Sequence, residues 1–331
     1  MSNRKWTFSI VLLFLLFAWL LLQFTGSVLQ IRKLVVPLQA ESAAGADTAH
    51  IVLISQELDN PFWRFIEQGA REAAAGFGME LEYTGPARIN PAEQIKNLDK
   101  AIAAKADAII VQGINDPEYR RLIDKAAGLG IPVVTVDTDE PDSRRLAYVG
   151  TDNLGAGRQM GELVAEASGK QGSIGVLISH EKAENQRLRL DGFRSVIDRY
   201  PGLEIVEAAS SDISRLQAAQ RAQNMLSRHP QIQYMVGFSS LDGLGIIEAA
   251  QRVRPAGVRI FGFDDLPETV KAVQACRIEA TIVQRPVEMG FKAVQLLNGY
   301  FQGETPRNVT FTESYVLKAG SPDAGAGGDC R

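Results

Sequence analysis

A strand, a turn and a helix follow one another within residues 51–78, and this order restricts the possible folds. Residues 51–54 form the apolar run IVLI, which is typical of a strand buried on both faces of a parallel sheet. The turn comes at Asn60 and Pro61, because Asn caps free backbone N–H groups and Pro suits the first helical turn. Apolar residues then recur at helical spacing up to Ala73, which predicts an amphipathic helix.

The same unit recurs along the chain. Further strands are predicted over residues 79–84, 108–112, 131–137, 146–150, 173–178, 203–208, 234–237, 258–263, 280–283 and 309–311. Further helices are predicted over residues 91–105, 116–130, 185–200, 214–229, 241–252, 266–275 and 286–301, with one more beginning around Leu154. This β-α alternation predicts parallel sheets with helices on both faces, and it divides the chain into two similar halves.

Phe62 and Trp63 lie in the first turn of the first predicted helix, above the carboxyl end of the strand over residues 51–54. Open α/β sheets bind ligands at this end of their strands. Two interpretations stay open, since the pair could belong to the core or could line a crevice. Successive helical positions point about 100° apart, so the two rings cannot both face the sheet equally.

Composition excludes several classes of protein. The chain has 331 residues, of which 45% are hydrophobic and 22% charged, and it is long enough for two domains. The net charge of −4 gives no basic face, so we predict no nucleic-acid partner. Cys276 and Cys330 lie far apart without His at metal spacing. We interpret them as incidental thiols and predict neither a metal site nor a disulfide framework.

The amino terminus carries an almost uninterrupted apolar run over residues 6–24, which approaches the length of about 20 residues that spans a bilayer. Arg4 and Lys5 precede it, and the positive-inside bias places the rest of the chain outside the cytoplasm. A cleaved signal peptide, the alternative, has a shorter apolar core and small residues at its cut site. We predict an uncleaved single-pass anchor with its flank over residues 1–36, then a tether over residues 37–49.

Six short motifs follow one another between residues 50 and 318. They are NPFW at 60–63, the strand beginning IPV at 131–133 and ending at Asp137, TDN at 151–153, RLRLDGF at 187–193, GFD at 262–264 and ATIVQ at 280–284. Each is weak alone, but their order and spacing resemble the type I periplasmic sugar-binding family, close to ribose-binding proteins and the ligand domains of LacI-like repressors. The apolar run leaves no room for the repressors' helix-turn-helix before residue 50.

The resemblance implies a fold of two doubly wound parallel-sheet lobes that close on a ligand held between them. Three strand crossings should join the lobes, near Thr151, Arg285 and Thr312. The N-terminal lobe would comprise residues 50–151 and 285–311, the C-terminal lobe residues 152–284 and 312–318, and a flexible tail residues 319–331.

The same resemblance implies a set of ligand contacts: Asn60, Phe62, Trp63, Asp137, Arg189, Asp264 and Gln284. Aromatic faces fit the C–H faces of a sugar ring, while amides and carboxylates match its hydroxyls. Three pocket positions depart from ribose binders, because Thr138 stands where they usually carry Arg, Ile213 where they carry an aromatic residue and Ser239 where they carry Asn. These departures argue against ribose itself and favour another sugar or a polyol.

The residue pattern leaves other roles open for the three charged residues of this set. Asp137 could cap a helix, and Asp264 could cap the helix predicted from residue 266. Arg189 could pair with Glu184 or Asp191 on a solvated helix face.

Nothing in the sequence predicts catalysis or a cofactor. The three histidines lie at a domain edge, a strand end and a helix end, without Ser or Cys partners at motif spacing: His50, His180 and His229. Gly243 and Gly245 could suggest a phosphate loop, but the dinucleotide pattern is incomplete and Asp242 would repel phosphate. We therefore predict a binding protein that is not an enzyme.

Two binding roles remain. The domain could deliver a sugar or polyol to an ABC permease, or it could present its ligand-closed form to a membrane sensor such as a histidine kinase. The resemblance favours transport, because the family is mostly employed there, whereas a single-span anchor suits the sensor. In either role we expect a monomer at the cell membrane, with its binding domain in the periplasm or at the cell surface.

Overall fold

The computed structural model describes residues 48–253 and 257–321, together with the isolated positions 16, 17, 19, 23 and 26. The chain divides into two compact units, Met1–Ala49 and His50–Arg331. The predicted membrane helix over residues 6–24 lies outside the described residues except at those isolated positions, as do most of the predicted tether and tail. Among the described residues, no helix is both long and apolar enough to cross a membrane.

Strands and helices alternate through the described part of the chain. The strands are β1 His50–Ile54, β2 Glu80–Thr84, β3 Ala108–Val111, β4 Val133–Val136, β5 Ala147–Thr151, β6 Gly172–Ile178, β7 Leu203–Ser210, β8 Ile232–Gly237, β9 Arg259–Phe263, β10 Ala280–Val283, β11 Val309–Thr312 and β12 Tyr315–Lys318. The helices are α1 Pro61–Phe77, α2 Pro91–Ala103, α3 Pro117–Gly128, α4 Asn153–Ala167, α5 Glu184–Ile197, α6 Arg215–Arg228, α7 Asp242–Val253, α8 Pro267–Gln274 and α9 Pro286–Phe301.

Local sequence explains where the first three helices begin. Each starts at a proline that follows Asn60, Asn90 or Asp116. The side-chain oxygen of each cap accepts a hydrogen bond from a backbone N–H of the first turn, and the fixed φ of proline fits the first helical position. The Asn-Pro turn signal at the start of α1 is thus confirmed.

The strands form two six-stranded sheets, which define an N-terminal and a C-terminal lobe. The sheet of the N-terminal lobe has the order β11-β5-β4-β3-β1-β2, and every strand pair in it is parallel. The sheet of the C-terminal lobe has the order β12-β10-β9-β8-β6-β7, in which only β12 is antiparallel to its neighbour. The predicted α/β architecture of two parallel-sheet lobes is confirmed. The sequence does not predict β12, because this short strand buries only Leu317.

Helices cover both faces of each sheet. In β1, Ile51 and Leu53 pack beneath α1 and α9, while Val52 and Ile54 pack beneath α2 and α3. Alternate residues of one strand therefore enter two separate cores, which explains why the run is apolar throughout. The C-terminal lobe is built the same way, with two apolar clusters on opposite faces of its sheet.

The chain passes from one sheet to the other at three places: after β5, after β10 and after β11. The segments there contain Asp152, the pair Gln284 and Arg285, and the pair Glu313 and Ser314. These short connections lie side by side in the strand order, since β5 and β11 are neighbours in one sheet and β10 and β12 in the other.

One expectation about the cysteines is wrong. Cys276, two residues beyond the end of α8, is disulfide-bonded rather than an incidental thiol. The other cysteine of the sequence, Cys330, lies outside the described residues. Linear separation hides such a pairing, because only the fold decides which distant thiols approach each other.

Candidate ligand-binding site

A cavity of about 70 Å³, the inner cavity, lies between the two lobes at the carboxyl ends of their strands. Its walls include residues that directly follow five strands, Gln112, Asp137, Ser179, Asp264 and Gln284. Parallel strands end at one edge of a sheet, so side chains that are distant in sequence meet there.

Nine of the ten predicted site residues line the inner cavity: Asn60, Phe62, Trp63, Asp137, Arg189, Ile213, Ser239, Asp264 and Gln284. Thr138 does not. Its side chain is buried beside the cavity, where its hydroxyl donates to Asp137 Oδ2 over 3.3 Å and accepts from Gln112 Nε2 over 3.1 Å. Thr138 is thus placed to hold Asp137 rather than to line the inner cavity.

The aromatic pair at the start of α1 serves the core and the cavity together. Trp63 is only 2% exposed and packs in the N-terminal lobe core, yet its ring also lines the inner cavity. Phe62 is partly buried against the same core and faces the same space. The two interpretations left open by the sequence are therefore compatible.

Asp137 follows β4 in a left-handed conformation, with φ of 62°. Its carboxylate accepts from Gln112 Nε2 over 2.8 Å and, across the cleft, from Asn185 Nδ2 of the C-terminal lobe over 3.3 Å. Burial raises its pKa, while the charge of Arg189 and these hydrogen bonds act in the opposite direction. No helix begins at Asp137, so the interpretation as a helix cap is wrong.

Asp264 occupies the equivalent position after β9, with φ of 63°. Its Oδ1 accepts from Gln284 Nε2 over 3.0 Å. Burial raises the pKa of Asp264 to about 6 against the opposing charge of Arg189. The cap residue of α8 is Leu266, whose helix start has no side-chain hydrogen bond, so Asp264 does not cap that helix.

Arg189 is a buried side chain of the cavity wall with three hydrogen-bond partners. It is 2% exposed, and its guanidinium donates to Asn153 Oδ1 over 2.8 Å, to the Phe238 carbonyl over 2.7 Å and to Gln284 Oε1 over 2.6 Å. The guanidinium carbon lies 4.0 Å from the centroid of the Phe263 ring. Burial lowers the pKa of Arg189, while the charges of nearby carboxylates oppose this.

The chain backbone fixes the position of Arg189. Helices α4 and α5 approach closely at Gly157, where a Cβ atom would clash with the backbone of Arg189. The salt bridge with Glu184 that the sequence suggested for Arg189 is made by Arg187 instead, over 2.6 Å. The solvated-face interpretation of Arg189 is therefore wrong.

Gln284 connects this network to two of the connections between the sheets. It follows β10, and its Oε1 also accepts from the Thr151 hydroxyl, at the end of β5, over 2.9 Å. One side chain therefore links Arg189 and Asp264 to the connections that follow β5 and β10.

Two buried amide oxygens in the inner cavity have no hydrogen-bond partner in the protein, Gln112 Oε1 and Asn185 Oδ1. Unpaired buried polar atoms are costly, so they indicate a polar occupant. Neither residue is among the ten site residues predicted from the sequence. Gln112 carries a usable signal, as the first polar side chain after an apolar strand, whereas Asn185 follows no motif.

The sequence alternative of a phosphate loop finds no support in the packing around Gly243 and Gly245. A Cβ atom at Gly245 would clash with Ala218 and Ala219 of α6, so the glycine permits close helix packing. Asp242 is fully buried and its Oδ2 accepts from the Ser239 N–H over 2.8 Å. Among the residues that the structure describes, no group of three acidic, His or Cys side chains could hold a metal ion.

A profile of the family described as periplasmic binding protein domain matches residues 51–305. The chain belongs to this family. The resemblance found in the sequence is therefore confirmed, and the match covers both lobes.

Known proteins of this family are similar over most of the chain. The ribose import binding protein of Escherichia coli strain K12 is 25% identical over 263 residues, which are 80% of this chain and 88% of that protein. GanP, a glucose-galactose binding protein from Geobacillus stearothermophilus, is 40% identical with a TM-score of 0.80, over 82% of this chain and 97% of that one. A chain of the XylFII–LytSN complex is 34% identical with a TM-score of 0.77, over 82% and 98%. The ribose import and the glucose-galactose relatives are binding proteins and not enzymes, in agreement with the prediction from the sequence.

Proposed function

We propose that this domain captures an uncharged sugar or polyol between its two lobes and delivers it to the permease of an ABC importer. The observation that carries the proposal is the inner cavity, where aromatic rings from one lobe face a buried guanidinium and carboxylate from the other. Sugars combine apolar C–H faces with a rim of hydroxyls, and this cavity offers a match for both. The similar ribose import and glucose-galactose binding proteins support the ligand class.

The ligand contacts that we propose are the nine predicted residues lining the inner cavity, with Gln112 and Asn185 in addition. Thr138 would act through Asp137. The lobes would close as units with the boundaries given by the resemblance, and direct contacts across the cleft support a closed arrangement. Asn185 reaches Asp137, and Asn115 Nδ2 lies 3.5 Å from the Lys182 carbonyl.

A thermal-shift panel of pentoses, hexoses and polyols tests this function. A ligand that binds only the folded state adds about 2.7 kcal/mol of stability at a hundredfold excess over Kd. At least one sugar or polyol should therefore raise the melting temperature by several degrees, and amino acids should not. If the whole panel leaves the melting temperature unchanged while an amino acid or peptide raises it, the proposed ligand class is wrong.

The second candidate is a membrane-anchored sugar sensor that presents its closed form to a signalling protein. Two observations favour it, the apolar run over residues 6–24 and the similarity to a chain that forms the XylFII–LytSN complex. Genes for a permease and an ATPase beside this one would support delivery, and a sensor kinase gene would support signalling.

We also propose that the binding domain lies outside the cytoplasm and that residues 6–24 are retained as its anchor. The disulfide at Cys276 supports this location, since disulfides persist in oxidising compartments. Mass spectrometry of the native protein should find the amino-terminal residues intact. A mature form beginning near Glu41 would instead identify a cleaved signal peptide.

A further inference from the structure

A second cavity, the outer cavity, lies beside the inner one between the two lobes. Its volume is about 460 Å³, and both lobes contribute to its walls. The two cavities have wall residues in common, among them Gln56, Gln112, His180 and Ile213. The two cavities are therefore adjacent along these residues.

The base of the outer cavity is buried and polar. Gln94, in the first turns of α2, is 1% exposed, yet neither Oε1 nor Nε2 of its amide has a hydrogen-bond partner in the protein. Gln112 is 5% exposed and lies in the same wall, with its Nε2 donating to Asp137 and its Oε1 unpartnered. Burying an amide without partners costs free energy, so a side chain that is kept this way points to a partner supplied by a ligand.

The rim of the outer cavity has a different character. Asn115, Lys182 and Asp212 are exposed there, and Ile89 and Ile213 add apolar surface. A buried amide base with apolar side walls and an open polar rim suits a ring that has hydroxyls on its edge and one end in solvent. The inner cavity, at about 70 Å³, has no comparable room.

We propose that the outer cavity is a subsite for a second sugar unit, so that the protein takes a disaccharide whose first unit occupies the inner cavity. This inference rests on the proposed sugar-binding function and specifies its substrate class. In the complex, the Gln94 amide donates to one hydroxyl of the second unit and accepts from another. Gln94 then discriminates between a disaccharide and its monosaccharide without touching the first unit.

The test compares monosaccharides with matched disaccharides on the full-length chain in detergent, by isothermal titration calorimetry. The probes are D-xylose, D-glucose and D-galactose, with xylobiose, cellobiose and β-1,4-galactobiose. At least one disaccharide should bind about tenfold more tightly than its monosaccharide. Gln94→Leu should remove about that tenfold gain, because two hydrogen bonds are lost, and should leave monosaccharide affinity within about twofold.

Thr269→Val is the matched control. Thr269 on α8 is also buried with an unpartnered hydroxyl, but it lines neither cavity. Both substitutions replace an unsatisfied polar group by an apolar one, so neither should lower the melting temperature, and Thr269→Val should leave every affinity unchanged. Gln94→Met, closer in length, replaces Gln94→Leu if the latter fails to fold.

The outcomes separate this inference from the proposed function. Tight monosaccharide binding with no gain from any disaccharide would show that the outer cavity is only a solvent channel, and the inference would fail while the function stands. An equal loss of affinity for both sugars in Gln94→Leu would also overturn it. If no sugar of either kind binds, the proposed function fails and takes the inference with it.

Discussion

The two lobes place a carboxylate at the same point by the same backbone device. Asp137 follows β4 and Asp264 follows β9, each strand being third in its sheet, and both residues have φ near +60°. A left-handed residue at a strand end turns the chain sharply, and Asp tolerates this conformation better than most residues. The parallel construction therefore sets two carboxylates facing one cavity.

The lobes differ in the helix that opens onto the cavity. In the N-terminal lobe α1 presents Phe62 and Trp63, whereas in the C-terminal lobe α5 presents Asn185 and Arg189. The helix of the N-terminal lobe thus offers apolar faces and that of the C-terminal lobe hydrogen-bond donors. A ligand in contact with both helices must carry both kinds of surface, as the proposed sugar or polyol does.

The surroundings of the two carboxylates differ as well. The side chain of Asp137 accepts hydrogen bonds from Gln112, Thr138 and Asn185, whereas the side-chain donor to Asp264 is Gln284. Burial raises the pKa of both carboxyl groups, and the charge of Arg189 opposes this in both.

The largest effect on stability and on sugar affinity is expected when the C-terminal lobe loses Arg189. Arg189→Ala removes a guanidinium that is hydrogen-bonded to three partners, so it should lower the free energy of unfolding by about 3–5 kcal/mol. Sugar affinity should fall by about a hundredfold or more, since hydrogen bonds to a charged group contribute about 1.5–3 kcal/mol each. Chemical denaturation and calorimetry measure the two effects.

Arg187→Ala is the matched control for this substitution. Arg187 lies on the same helix, and its salt bridge with Glu184 is exposed on the arginine side. Its loss should change stability by less than about 0.5 kcal/mol and affinity not at all. A large loss of stability with unchanged sugar affinity in Arg189→Ala would mean that Arg189 holds the lobe together without contacting ligand, and effects no larger than those of Arg187→Ala would show that it does neither.

In the N-terminal lobe the largest effect on stability should come from substitution of Trp63. Trp63→Ala empties a core position, and we expect a loss of about 3–5 kcal/mol in the free energy of unfolding. Phe65→Ala, on the same helix but with 44% of the residue exposed, should cost less than about 1 kcal/mol. If thermal denaturation finds the two variants equally stable, the contribution of Trp63 is to ligand contact and not to the stability of the core.

How much of this site the sequence predicts depends on how far apart in the chain the interacting residues are. The pattern of strands and helices is local, so it gives the carboxyl ends where Asp137 and Asp264 stand. The partners of these residues come from other strands, as when Gln284 bonds both Arg189 and Asp264. Such contacts depend on the order of the strands in the sheet, which local sequence patterns do not encode.

The cysteines and the charged residues illustrate the same limit. Local spacing makes Arg189 a plausible partner of Glu184, but helix rotation directs Arg187 to that role and buries Arg189. The disulfide at Cys276 likewise requires a cysteine that is remote in sequence. In both cases the missing information is three-dimensional rather than chemical.

The raised pKa of Asp264 predicts a pH dependence of sugar binding. Because burial raises the pKa of Asp264 to about 6, the folded protein holds this proton more tightly than the unfolded chain. The stability from this group is fully present below the unfolded pKa near 4 and is lost as pH rises through about 6. A sugar hydroxyl donates to the charged form, so affinity should rise about tenfold between pH 5 and pH 7.

Asp264→Asn distinguishes this source of the pH dependence from Asp137. The variant should bind more weakly at pH 7, and most of the slope of affinity against pH should disappear. Relative to wild type, its free energy of unfolding should improve as pH rises from 4 to 7, because the destabilising ionisation is absent. An undiminished slope in the variant would assign the titration to Asp137.

The smallest effect concerns the loops that close the outer edge of each lobe. In the C-terminal lobe the loop after β7 holds Asp212 and Ile213 at φ of 50° and 53°, whereas residues 85–90 after β2 contain no positive φ. A β-branched residue in this conformation costs about 1–2 kcal/mol, so Ile213→Gly should stabilise the protein by up to about 1 kcal/mol after the entropy cost of glycine. The sugar affinity of Ile213→Gly should nevertheless fall, because Ile213 lines the inner cavity.

Ile89→Gly is the matched control in the N-terminal lobe. It relieves no strain and should lower the free energy of unfolding by about 0.5–1 kcal/mol. If denaturant titrations find the same loss of stability in both variants, the left-handed conformation of Ile213 does not strain the folded protein.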